Sequence, residues 1–131
     1  MDLISISQEK DSLFKTKIRK HSFFSDMSIK DGGTDAAPSP ADLLVSTLGF
    51  CMAMIIQRYC KSHGYNDSGI NLSMTYLLND NPKMISSITI DIALPENFPL
   101  NRRQAILNSI KTCVIYNSLN ENVEIDIEFE D

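Results

Sequence analysis

The chain has 131 residues, 43% of them hydrophobic and 22% charged, with a formal net charge of -5. That length fits a single domain over 1–131, because a domain of about 150 residues already hides roughly 68–70% of its unfolded surface. The acidic balance excludes nucleic acid as a main partner, since duplex binding needs concentrated Lys and Arg, and here only Lys15, Lys17, Arg19 and Lys20 cluster.

From the N-terminus, Leu3 to Ile6 and Leu13 to Ile18 read as strands, and His21 to Ile29 as a third. The first ten residues lack a basic segment followed by a long apolar run, so no secretory leader is expected. Lys30 to Pro38, rich in Gly, Asp and Pro, reads as a loop. A helix should follow: Ser39 is a natural N-cap, Pro40 fits the first helical position, and Asp42 suits the positive end of the helix dipole. It is expected to end near Ser62 or His63, with Gly64 as a left-handed cap.

Within that helix Leu44, Leu48, Cys51 and Ile55 form one apolar stripe, and Met52, Met54 and Ile56 widen it, so Cys51 should face the core or a partner. Cys60, about half a turn round from Cys51 and near Gln57, Arg58 and Lys61, reads as incidental. Asn71 to Leu78 and Ile85 to Leu94 alternate as strands joined at Asn79 to Pro82, a hairpin. A second helix from about Asn101, with Gln104 as its capping-box partner, would place Ile106, Ile110 and Cys113 on one stripe. Val123, Ile125, Ile127 and Phe129 close the chain as a half-buried strand with an acidic outer face. The pattern is α+β.

No stretch approaches about 18 uninterrupted apolar residues, so no transmembrane helix is expected and a soluble, cytoplasmic protein follows. Three cysteines cannot all pair within one chain, and no C-x-x-C spacing is present. Cys60 and His63 are three apart, but no second ligand pair completes a tetrahedral set, so neither a metal nor a cofactor is expected. In a reducing compartment Cys51 and Cys113 are then either small core residues or a redox couple. The six methionines read as adaptable core filling, and His21 and Asp26 as strand and turn residues without chemistry.

The run from Gly33 to Leu44 (Gly-Thr-Asp-Ala-Ala-Pro-Ser-Pro-Ala-Asp-Leu-Leu) precedes Cys51, and Cys113 is followed by Asn117-Ser-Leu. With a strand pair between them, these segments resemble the OsmC/Ohr family from about His21 to the C-terminus. The resemblance implies an intertwined homodimer in which antiparallel sheets wrap two central helices, with active sites at the subunit interface. It also implies a thiol-dependent peroxidase that reduces organic hydroperoxides: Cys51 is the peroxidatic thiol, Cys113 the resolving one, and an external dithiol recycles the pair. The chain departs from the family pattern at three points. Ala41 follows Pro40 where a glutamate is usual, with Asp42 one place further on. Val114 follows Cys113 where proline is common. The arginine that the glutamate would orient toward the sulfur is matched by Arg19, Arg58 or Arg102. Arg19 and Asp42 are the supporting candidates, and the chain resembles a branch without the glutamate. The alternative on the same scaffold is a non-catalytic dimer that binds an apolar small molecule, with both cysteines as packing residues.

Overall fold

The computed structural model describes residues 2–119 and 121–131, which fall into two compact units, Met1–Leu44 and Val45–Asp131. The leader reading, which includes Met1, lies partly outside the described residues.

The first unit is an antiparallel meander of β1 (Ile4–Lys10), β2 (Leu13–Ile18) and β3 (His21–Ser25). The β2–β3 turn is tight, and Arg19 holds a left-handed conformation in it (φ 53°). Register puts Ile4, Ile6, Phe14, Thr16, Ile18 and Phe23 on one face, with Ile4 60% and Ile6 68% exposed. An apolar sheet face of this kind, on only three strands, needs a cover to be stable in water.

β3 is shorter than the sequence suggests because Asp26 turns inward and gathers the loop. Ser12 Oγ donates to Oδ1, as does Met27 N–H (2.7 Å); Thr34 Oγ1 (2.9 Å) and Ala36 N–H (3.1 Å) donate to Oδ2. The Ser12 hydroxyl first, then the Ala36 N–H, hold this carboxyl well below its ordinary range against the opposing effect of burial. A 3-10 turn follows over Ile29–Asp31. Gly33 is required nearby, since a Cβ there would overlap the backbone carbonyl of Met27.

α1 (Pro40–Ser62) starts as expected. Ser39 Oγ accepts the Asp42 N–H (3.2 Å) and an Asp42 carboxylate oxygen accepts the Ser39 N–H (3.1 Å), so two orphan donors are satisfied reciprocally. Gly64 ends the segment with φ 72°. By length and composition α1 could cross a membrane, but Leu48, Met52, Ile56 and Cys60 are fully buried in the protein's own core.

In the second unit β4 (Asn71–Asp80) and β5 (Lys83–Ala93) form the expected hairpin, and β6 (Glu124–Phe129) pairs parallel with β5. The sheet order β4-β5-β6 leaves β5 central, so Ile88, Ile90 and Ile92 are buried with the α1 stripe, Phe98, Ile106 and Ile110. Each such side chain contributes roughly 1.5–3 kcal/mol on burial. Gly49 allows α1 to approach β4 closely: a Cβ there would stand 2.5 Å from Met74 Sδ.

Three expectations need correction. The buried stripe of α1 is Val45, Leu48, Met52, Ile56 and Cys60, one position round from that centred on Leu44 and Ile55, and Cys60 is a core residue. The second helix is interrupted: α2 (Arg103–Ile110), preceded by a 3-10 turn at Leu100–Arg102, stops at Lys111, and α3 (Val114–Ser118) begins after Cys113. No side chain caps α2, and Gln104 donates instead to Asn108 (3.2 Å).

Candidate functional site

Cys51 and Cys113 meet inside the second unit. Cys51 lies midway along α1, half-buried, next to the buried Met52 and packed against the core cluster. Cys113 is 1% exposed and occupies the extended residue between α2 and α3 (φ -64°, ψ 128°). Its own N–H donates to Ile110 O at the end of α2 (2.9 Å), and its carbonyl accepts the Asn117 N–H of α3 (3.0 Å). The backbone is thus tied on both sides.

That sulfur has two sets of neighbours. It caps α3 by accepting the Tyr116 N–H at 3.3 Å, and it lies close enough to the Cys51 side chain for that neighbour to raise its thiol. Burial, then the hydrogen bond to Cys51, push the Cys113 thiol up, while N–H groups of Tyr116 and Ile115 pull it down less strongly. Cys113 is therefore a sulfur that holds its proton and can present it to Cys51. Both cysteines are free.

Cys60, the third cysteine, is also free and fully buried, and burial followed by the nearby Asp67 charge pushes its thiol up. An inert thiol is the consequence, because the thiolate is the reactive form. His63, which the sequence paired with Cys60, stacks on Tyr59 (4.0 Å between centroids) and bonds the Tyr59 carbonyl through Nδ1 (2.9 Å). Among the described residues no group of three or more His, Cys, Asp or Glu side chains could hold a metal ion.

The supporting candidates lie in the first unit. Arg19 pairs with Asp2 (3.0 Å), its side chain 57% exposed at the hairpin turn, and Asp42 is engaged in the cap of α1. Arg58 and Arg102 are exposed. Sequence reasoning missed the Tyr116 N–H, which partners the Cys113 sulfur; only the helix break before Cys113 makes that contact, and no residue pattern marks it. It also missed Asp26 as the organiser of the loop before α1, although the Thr, Gly and Asp content of 31–35 was a signal for a carboxylate collecting local donors.

A family model described as OsmC-like protein matches residues 32–128. No curated protein matches the sequence. Among solved structures, a candidate osmotic stress induced and detoxification response protein from Psychrobacter arcticus is 19% identical, with 99% of this chain and 96% of that chain covered and a TM-score of 0.93. An OsmC like protein from Mycoplasma pneumoniae is 14% identical, with 99% and 96% covered and a TM-score of 0.85. The organic hydroperoxide resistance protein OhrB of Bacillus subtilis is 13% identical, with 99% and 98% covered and a TM-score of 0.70. At these identities the structural likeness is one of fold.

Proposed function

The chain belongs to the OsmC-like protein family, and we propose that within it the protein is a thiol-dependent peroxidase that reduces organic hydroperoxides, with Cys51 peroxidatic and Cys113 resolving. The observation that carries this reading is that two free cysteines from distant parts of the sequence come together in one core, Cys51 packed against the cluster that holds Cys113 and raising its thiol. Three of the structural relatives are named for organic hydroperoxide resistance, which fits the same substrate class.

The chemistry balances with these two side chains. The Cys51 thiolate attacks the outer peroxide oxygen of ROOH, the O–O bond breaks, ROH leaves with a proton, and Cys51 becomes a sulfenic acid. Cys113 then attacks that sulfur, its proton leaves with the hydroxyl as water, and an internal disulfide forms. An external dithiol reduces the disulfide by exchange, restoring both thiols. The reactive sulfur is half-buried, and exposed Phe50 and Met54 on the same helix supply apolar surface suited to a greasy substrate.

Homodimerisation belongs to the same proposal. The apolar face of β1–β3 and the exposed Phe50 and Met54 of α1 are surface that a second copy would cover. Three free cysteines suit a reducing compartment such as the cytoplasm. A supporting role for Arg19 would require release of its pair with Asp2, and one for Asp42 would require release of the helix cap.

The test is turnover of cumene hydroperoxide with dithiothreitol as the dithiol, with sedimentation velocity for the oligomeric state. Consumption of peroxide that disappears in Cys51→Ser supports the enzyme. A wild-type rate no higher than that of Cys51→Ser would exclude it and leave a non-catalytic apolar-ligand protein.

A further inference from the structure

We infer that α3 is a redox-sensitive latch: the Cys113 sulfur that fastens its first turn is the same atom that must bond to Cys51, so disulfide formation unfastens the turn and opens access to that sulfur. The inference rests on the two-cysteine reading above and concerns how the pair is recycled.

The geometry of α3 makes the sulfur's contribution large relative to the helix. α3 has five residues, fewer than two turns, too short to hold its own conformation in water. Besides the helix's own backbone bonds, its ends are held by Asn117 N–H to Cys113 O (3.0 Å) and Leu119 N–H to Tyr116 O (3.4 Å). Ser118 Oγ donates to Val114 O (2.6 Å), which ties the last residue of α3 to its first but leaves the Tyr116 N–H untouched. At the front, Cys113 Sγ accepts the Tyr116 N–H (3.3 Å), a donor at the helix start with no intrahelical partner.

Oxidation redirects that acceptor. In a disulfide the two sulfurs stand about 2.05 Å apart, whereas in this structure both thiols are free. Because the Cys113 backbone is tied to α2 through its N–H and to α3 through its carbonyl, the approach is made by rotation of the side chain toward Cys51. The Tyr116 N–H is then left without its partner. In the reduced protein Ile115, Tyr116 and Leu119 pack against the core while Val114 is 67% exposed, so the turn yields at Val114 and the Tyr116 N–H.

The consequence lies in the reductive half of the cycle. In the reduced protein Cys113 is 1% exposed, so an external dithiol has no approach to it. With the first turn loosened, one thiolate of the dithiol attacks the Cys113 sulfur, the S–S bond breaks, and Cys51 leaves as the thiolate. The second thiol of the reductant then displaces Cys113, which regains its proton, and the reductant departs as its own disulfide. Once reduced, the sulfur returns to the Tyr116 N–H and the latch closes.

Amide hydrogen exchange resolved at Tyr116 tests this on the full-length protein, reduced, treated with cumene hydroperoxide, or treated with diamide, with Cys113→Ser as the reference. Exchange at Tyr116 should rise about fivefold or more in the disulfide form, the scale set by one lost hydrogen bond, with Leu107 and Ile110 unchanged. The serine hydroxyl caps the helix but cannot form the disulfide, so that variant should show slow exchange before and after either oxidant. A disulfide confirmed by mass with unchanged Tyr116 exchange overturns the latch. A disulfide made only by diamide, with Tyr116 released, supports the latch and removes the peroxidase. Absence of a disulfide with either oxidant removes both.

Discussion

Cys113→Ala and Cys113→Ser separate the two tasks assigned to one sulfur. The alanine variant loses the acceptor that caps α3 and vacates the volume of a buried atom. Loss of an N-cap costs about 0.5–2 kcal/mol, with a thiol at the low end. Removal of a buried group the size of a methylene adds about 0.8 kcal/mol. The sum is about 1.3–2 kcal/mol, which at this chain length lowers Tm by about 5–7 °C. Cys113→Ser keeps an acceptor for Tyr116 N–H and a donor toward Cys51, so its cost should stay within about 1 kcal/mol. Thermal unfolding under reducing conditions, at one fixed protein concentration, reads both values. With hydroperoxide added, Cys51 in the serine variant should run on to sulfinic acid, seen by intact mass, because no second thiol traps the sulfenic acid. Equal destabilisation by serine and alanine would contradict the capping role, a serine variant that stops at an intact thiol would contradict the peroxidatic role of Cys51, and over-oxidation no greater than in the wild type would contradict the resolving role.

Other consequences are equally specific. The lowered Asp26 pKa means that its stabilising contribution is complete above its ordinary value of 3.8 and fades as pH falls below it. Asp26→Asn should therefore be less stable than the wild type at pH 6, and the two melting curves should converge below pH 3.8 in an acid titration followed by circular dichroism. Gly33→Ala should destabilise the loop before α1, because its Cβ meets the Met27 backbone rather than a yielding side chain; raised hydrogen exchange at Thr34 and Ala36 would report it, and unchanged exchange would count against the tight approach. Ile90→Ala, at a fully buried position on the central strand, should cost about 2–5 kcal/mol in urea unfolding, with a smaller loss meaning that the sheet is less firmly packed than its burial implies.

Much of the fold was legible in the sequence where local chemistry decides. Ser39, Pro40 and Asp42 define the start of α1, and Gly64 its end, because capping depends on neighbours in the chain. Alternation in β4 and β5 around Asn81-Pro82 fixes the hairpin in the same way. The buried face of α1 was less legible: the helix is apolar nearly all round, so period alone favours Leu44, Cys51 and Ile55 about as well as Val45, Met52, Ile56 and Cys60. The break before Cys113 was hidden because the apolar spacing runs through it. Thr112 Oγ1 donates to Ser109 O (2.6 Å) and Cys113 N–H to Ile110 O, and such local bonds offer the chain an alternative to continuing the helix. The pairing of Cys51 with Cys113 was legible only through a resemblance, since the contact depends on tertiary packing that neither segment encodes alone.

The central claim, that Cys51 and Cys113 form a working redox couple, is tested most directly by a free-thiol count and intact mass after brief exposure of the reduced protein to one equivalent of cumene hydroperoxide. Loss of two thiols as an internal disulfide, absent in both Cys51→Ser and Cys113→Ser, is the predicted result. Three thiols surviving long exposure would contradict it.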